Sequence, residues 1–185
     1  MNSAFLEKPF SYDGKQLRSR WIGQTADLQG DAIVSFIGKA DVPIENMVDL
    51  EDVAANKPIY SEEMLHFIIE IFDKDLERMI LRQRLLIAII MEELKYFPQC
   101  QKIHRRGNDL YDEKNKLSVS IATSSPHSCL IHTGINISSR NTPLATKGLN
   151  DYDIEPRTFA EAVMKRFCEE LKGIRHAQTK VRTVS

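Results

Sequence analysis

Lys116, Ser118 and Ser120 occupy every second position of Lys116-Leu117-Ser118-Val119-Ser120-Ile121-Ala122, and His132, Gly134 and Asn136 do the same in a second alternating run. Alternation of this kind marks half-buried strands, whose successive side chains point to opposite faces. The turn residues Ser124, Ser125, Pro126 and His127 between the runs predict a β-hairpin. A loop of about five residues would set Lys116 opposite Asn136, Ser118 opposite Gly134 and Ser120 opposite His132. One hairpin face would then carry an ammonium, two hydroxyls, an imidazole and an amide, while Leu117, Val119, Ile121, Cys129, Ile131, Thr133, Ile135 and Ile137 face the core. A solvated outer face is the alternative, since Lys, Ser and Asn are common there without any function. Gly134 speaks against it, because a glycine inside a strand often marks close approach of a ligand or another backbone. Just upstream, Arg105-Arg106-Gly107-Asn108-Asp109 brings two guanidinium groups to a turn, a suitable place to hold an anion. A bare turn explains Gly107, Asn108 and Asp109 as well.

The elements that must position these residues are legible in outline. Asp31 to Gly38 is apolar on both parities and β-branched, as a buried central strand would be. Residues Met47 to Leu50 are expected to form a short strand followed by a loop. Met64 to Phe72 fits a strand by its Ile and Phe content, although Ser61, Glu62 and Glu63 could equally cap a helix. Strand is preferred because a stronger helix follows: from Leu76 to Tyr96, apolar residues recur at spacings of three and four, with Pro98 beyond the end. A second helix is expected from Arg157 to Lys172, after Pro156 and before Gly173, its stripe of Phe159, Val163, Met164, Phe167 and Leu171 covering one sheet face. Strands and helices interleave without a βαβ rhythm, so the fold class is α+β, with a mixed sheet and helices packed on one side.

At 185 residues, the chain is expected to form one domain with a sizeable core. Its net charge of −1 provides no field for nucleic acid or an anionic membrane. The basic tail from Arg175 to Arg182 reads as a solvated end. The N-terminus lacks the basic start and apolar run of a signal peptide, and no stretch reaches the ~18 apolar residues of a membrane span, so a cytoplasmic protein is expected. Cys100, Cys129 and Cys168 are widely spaced and read as buried free thiols.

Three blocks in order, Arg105-Arg106-Gly107-Asn108-Asp109-Leu110, Asn115-Lys116-Leu117-Ser118-Val119-Ser120-Ile121-Ala122 and His132-Thr133-Gly134-Ile135-Asn136, follow the long helix. In this order the sequence resembles the catalytic domain of biotin and lipoate protein ligases, in which a helix precedes K-W-P-N-D-L, R-K-L-x-G-I or R-K-[IV]-S-G-S-A, and a strand ending G-x-G-I-N. The sequence also resembles a small prokaryotic family of that superfamily that lacks an assigned reaction. The resemblance implies a largely antiparallel, class II synthetase-like sheet. It also implies Lys116 as the cation that meets an acyl carboxylate and an adenylate phosphate. Substrate-binding roles would fall to Arg105, Arg106, Gly107, Asn108, Asp109, Ser118, Ser120, His132, Gly134 and Asn136. ATP with Mg²⁺, a small carboxylic acid or nucleotide-linked ligand, an acceptor protein and a homodimeric state are the cofactor and partners it implies. Two departures stand out: Gly38 to Glu51 contains no Arg/Gly-rich loop, and Val119 replaces a motif glycine.

Other constellations read as structural. Asp49, Glu51 and Asp52 could meet Mg²⁺ but fit a solvated acidic loop better. Alternation sends His132 away from His127 and Cys129, which speaks against zinc, and a core-facing Cys129 is an inert thiol. Arg18, Arg20 and Trp21 could supply charge and an aromatic lid in place of the missing loop. Two functions follow from the sequence: an acyl-transferring ligase centred on Lys116, or a binding protein that kept the scaffold and lost the loop.

Overall fold

The computed structural model describes residues 1–57, 59–142 and 145–184. In chain order its strands are β1 (Asn2–Phe5), β2 (Ala32–Val42), β3 (Ile59–Ile71), β4 (Ile103–Arg106), β5 (Asp109–Asp112), β6 (Asn115–Lys116), β7 (Ser118–Ser124) and β8 (Cys129–Asn136). The main sheet has the order β1-β2-β3-β8-β7, and β4-β5-β6 form a small second sheet. β1 and β2 run parallel, while the other strand pairs are antiparallel. The fold is therefore α+β with a mixed, largely antiparallel sheet.

Two long helices, α3 (Leu76–Leu94) and α4 (Pro156–Thr179), pack on one face of this sheet. The shorter α1 (Trp21–Ala26) and α2 (Leu50–Ala54) precede them in the chain. Beneath the long helices lies the larger core, where Ile33, Leu65, Phe67, Ile69, Ile131 and Ile135 meet Met79, Leu86, Ile90, Val163 and Phe167. Residues of the opposite parity, Val34, Phe36 and Ile68, build a second core with Tyr12, Trp21 and Ile22. That double cover explains why β2 and β3 are apolar on both parities.

Both long helices start where capping chemistry allows. The Asp75 carboxylate accepts the Arg78 amide at 2.9 Å, and that of Glu155 accepts the amides of Arg157 and Thr158, with Pro156 at the first helical position. Helix α4 runs past Gly173 to Thr179, beyond the expected end at Lys172. A Cβ at Gly173 would meet nothing within 4 Å, so this glycine only weakens an exposed helix and does not stop it.

The stretch from Met47 to Leu50 is not a strand. A 3₁₀ turn at Ile44–Asn46 leads to α2, whose N-cap Asp49 accepts the amides of Glu51 and Asp52. An Asp followed by two acidic residues is a helix-start signal, because carboxylates favour the positive end of a helix. β1 and the small sheet add strands that the periodicity did not reveal.

The hairpin forms, but in a different register. Ser124 pairs with Cys129, Ser120 with Thr133, Val119 with Gly134 and Ser118 with Ile135. Four residues, Ser125 to Ser128, turn the chain, tied by the Ser125 amide and hydroxyl donating to the Ser128 carbonyl at 2.7 and 2.9 Å. A loop shorter by one residue moves each β7 side chain to the other face relative to β8. Leu117, where the chain crosses from the small sheet to the main one, is buried together with Ser118, so the strict alternation is reset there.

Candidate functional site

On the sheet face away from α3 and α4, Tyr12, loop residues Asn46 to Asp49, Asp52, Asn108, Asp109, Lys116, Val119 and His132 enclose a cavity of about 200 Å³. A second cavity of about 530 Å³ adjoins it, lined by Lys57, Tyr60, Met64, Tyr111, Lys114, Lys116 and Asn136 among others. Lys116, Asp52, Ile59 and Val119 border both. Lys116 therefore stands at a seam between an aspartate-rich chamber and a lysine-rich one.

Its ammonium is held by the Asp109 carboxylate, Nζ to Oδ2 2.7 Å. Burial pushes the Asp109 carboxyl up, and the hydrogen bond and charge of Lys116 oppose that shift. Both residues are partly buried, so the pair is screened less than a surface pair and fixes the Lys116 side chain in place.

His132, which lines the smaller cavity, belongs to a buried imidazole pair. His66, on β3, approaches the Gly38 carbonyl with Nε2 at 3.2 Å and His132 Nε2 with Nδ1 at 3.1 Å. A carbonyl only accepts, so His66 Nε2 carries the proton and Nδ1 accepts from His132 Nε2–H. This leaves His132 Nδ1 as a lone-pair acceptor. Tyr12 stacks on the His132 ring at 3.8 Å and 13°, and Phe36 stacks on His66. Burial pushes His66 down to about 4, against the Gly38 carbonyl's opposing pull. Burial, then the neighbouring His66, holds His132 well below the usual imidazole range. Both rings are neutral near pH 7. Burial, and then Asp13, raises the Tyr12 phenol above its ordinary range, so it too stays protonated.

Tyr12 reaches this place through a close backbone crossing. A Cβ at Gly38 would lie 1.7 Å from the Phe10 carbonyl oxygen, so only glycine lets the N-terminal segment lie across β2. The Tyr12 amide then donates to the Lys39 carbonyl at 2.8 Å, and its carbonyl accepts the Asp41 amide at 2.9 Å. Neither Tyr12 nor His66 belonged to the sequence-derived set. A polar ring in the Met64 to Phe72 run, where Glu70 is the only other polar residue, is the one signal that points to His66.

A family model described as a domain of unknown function, DUF366, matches residues 1–182. The chain belongs to the DUF366 family. It is 40% identical over 161 residues to the uncharacterized protein MJ0805 of Methanocaldococcus jannaschii, covering 84% of this chain and 72% of that one. A protein of unknown function from Pyrococcus horikoshi has a similar structure, at TM-score 0.91 and 37% identity, covering 99% of this chain and 100% of that one. The fold also matches the biotin protein ligase of Aquifex aeolicus in complex with biotin and ATP, at TM-score 0.62 and 17% identity, covering 92% and 70% of the two chains. Protein Ta0514 of T. acidophilum, a suggested lipoate protein ligase with bound lipoic acid, matches at TM-score 0.56 and 14% identity over 93% and 87%. The DUF366 chain thus has the biotin and lipoate ligase scaffold.

On this DUF366 scaffold the sequence-derived residues separate. Lys116, Asn108, Asp109 and His132 line the smaller cavity, and Lys116 and Asn136 the larger. The Asn136 amide donates to the Lys116 and Lys147 carbonyls at 3.3 and 3.4 Å, and the Asn108 amide donates to the Ser120 carbonyl. Ser118 and Ser120 border the cavities, but the changed register turns their hydroxyls inward. Ser118 Oγ accepts the Leu110 amide at 2.9 Å, and Ser120 Oγ bonds Gln83 of α3 and Thr133. Val119 and Ile121 take the places on the cavity side that the serines were expected to fill.

Arg105, Arg106 and Gly107 lie outside both cavities, on the exposed small sheet, where Arg105 donates to the Gly107 carbonyl at 3.1 Å. Gly134 lines neither cavity. A Cβ there would stand 2.2 Å from Met64 Sδ, so the close approach it permits is that of a side chain on β3. Trp21 is buried in the second core, the Arg20 amide donates to the buried Glu70 carboxylate at 2.9 Å, and Arg18 bonds Gln24, so this segment does not form a lid. Asp49 and Asp52, read as a solvated loop, instead line the smaller cavity. Among the described residues no group of three His, Cys, Asp or Glu side chains is arranged to hold a metal, and no helix is long and apolar enough to cross a membrane.

Proposed function

We propose that the chain binds a small carboxylic acid, or its nucleotide-linked form, with the anionic end beside Lys116, and transfers the acyl group to an acceptor protein. The observation that carries this reading is the position of Lys116: a side chain fixed by Asp109 at the seam of two adjoining cavities, on the scaffold of ligases solved with biotin, ATP or lipoic acid. A fixed ammonium in a site shielded from water stabilises charge that develops on an acyl or phosphoryl oxygen. Lys57 and Lys114 line the larger cavity with it, which suits a phosphate. When ATP is bound it supplies the leaving group that activates the acid. Mg²⁺ would be carried largely on phosphate oxygens and water, as that ion prefers.

A specific feature favours a second reading, a small-molecule-binding protein without catalysis. The loop that walls the smaller cavity carries Asn46, Asp49 and Asp52 and no arginine to cover a nucleotide. Exchange of labelled pyrophosphate into ATP, measured with short-chain and ring-containing acids, separates the two. Under the ligase reading wild type exchanges and Lys116→Ala loses roughly 10²–10³ in rate with its melting curve intact. Equal exchange by both proteins removes Lys116 from the mechanism. Acid-dependent thermal stabilisation without exchange establishes the binding protein.

A further inference from the structure

We propose that the chamber formed by Tyr12, Asp49, Asp52 and His132 is a subsite for a cationic nitrogen group, so that the acid held at Lys116 carries an amine or amidine at its other end. This inference rests on the reading of Lys116 as the carboxylate-binding group.

Two independent features point to such a ligand. The first is unused hydrogen-bonding capacity in side chains that are almost wholly buried. His132 is 2% exposed and Tyr12 3% exposed. Among the described residues, the His132 ring bonds only through Nε2, and the Tyr12 hydroxyl has no hydrogen-bond partner. Yet no fully enclosed side-chain nitrogen or oxygen lacks a partner among the described residues, so these two free atoms must open on the cavity their residues line. Buried polar groups are normally satisfied, and a site that leaves a lone pair and a hydroxyl free is built for something that enters. The tautomer set by the Gly38 carbonyl makes His132 Nδ1 an acceptor, so the entering group must donate.

The second feature is charge. Asp49, Asp52 and Asp109 line this chamber against the single ammonium of Lys116, which Asp109 already engages. Neither Asp49 nor Asp52 forms an ion pair among the described residues, whereas Asp109 also feels Arg84. One Asp49 oxygen caps α2, and the Asp52 carboxylate makes no hydrogen bond among the described residues. Like charges this close repel unless a cation sits between them. The neighbouring chamber has the reverse character, with Lys57, Lys114 and Lys116 against Asp52. A molecule with a carboxylate at one end and a cationic nitrogen at the other matches the polarity across the seam.

The test is isothermal titration of straight-chain acids from pentanoate to octanoate and of their ω-amino counterparts, on wild type, Asp52→Asn, Tyr12→Phe and Lys116→Ala. The first two substitutions remove one charge or one hydroxyl that the fold does not use, and melting curves verify that each protein is folded. In wild type the best ω-amino acid should bind about tenfold or more tighter than its parent, the effect of a charge-assisted hydrogen bond. That advantage, taken as the ratio of ω-amino to parent affinity within each protein, should vanish in Asp52→Asn and shrink in Tyr12→Phe, while Lys116→Ala weakens both series. Parents that bind as well as their ω-amino partners at every length overturn the subsite, and the Lys116 reading still stands if Lys116→Ala weakens them. An ω-amino preference untouched by Lys116→Ala supports the subsite and overturns the carboxylate reading. Absence of binding by every acid overturns both.

Discussion

The two faces of the β7–β8 hairpin bury polar groups in different ways. Toward α3, Ser118, Ser120, Thr133 and Gln83 are closed off, and their hydrogen bonds are made within the protein. On the opposite face His132, equally buried, keeps one ring nitrogen free among the described residues, and the Tyr12 ring stacked against it carries a hydroxyl that has no partner among them. Burial and polarity alone therefore do not mark a site. A satisfied network specifies packing, whereas an unsatisfied atom opening on a cavity asks for a ligand.

Acid should break the two faces apart most strongly. His66 and His132 are buried neutral, His66 with its folded value lowered from about 6.5 to about 4. The unfolded chain therefore binds more protons than the folded one between these values, so stability is complete above about pH 6.5 and falls as pH drops toward 4. Urea denaturation across that window should lose on the order of 3 kcal/mol, and a flat profile would show that the imidazoles are not buried in their neutral form.

A smaller effect is expected from Gly134→Ala, which forces Met64 off its present position at a cost of about 1–3 kcal/mol. Met64 lines the larger cavity, so it should move into that space and weaken the longer acids more than the shorter ones. Trimming the obstacle with Met64→Ala should restore binding in the double variant, and failure to do so would mean that the backbone of β8 has shifted.

Ser120→Ala leaves the buried Gln83 amide without its acceptor and should cost about 1–2 kcal/mol in denaturation experiments. Acid binding should be unchanged, since the hydroxyl faces α3. Weaker binding at equal stability would place Ser120 in the site after all. The least effect belongs to Arg106→Ala, on the exposed small sheet, with stability within about 0.5 kcal/mol and acid affinity unaltered. A loss of affinity there would bring the small sheet into contact with the ligand.

Much of the architecture follows from local pattern. The spacing-of-three-and-four stripe from Leu76, the apolar run around Ile68 and the two alternating strands each report their own burial, since a helix or strand face must match its surroundings. α2 was equally readable from Asp49 as a cap but was obscured by its short length. Lys116, Asn108, Asp109, Asn136 and His132 were drawn from the motifs and do line the cavities. The serines and arginines drawn from the same motifs turn elsewhere.

The kind of sheet, the long helices and a lysine among polar strand positions can be read from the chain alone, because periodicity and capping are local properties. Packing between distant segments sets the rest. One residue of loop length reversed which side chains of β7 share a face with His132, and a pattern of period two cannot report that choice. The N-terminal crossing at Gly38 brought Tyr12 onto His132 from far away in the chain, and the long β3 brought His66 beneath it. A hydrogen bond between rings 66 residues apart is a consequence of packing, which no local spacing contains.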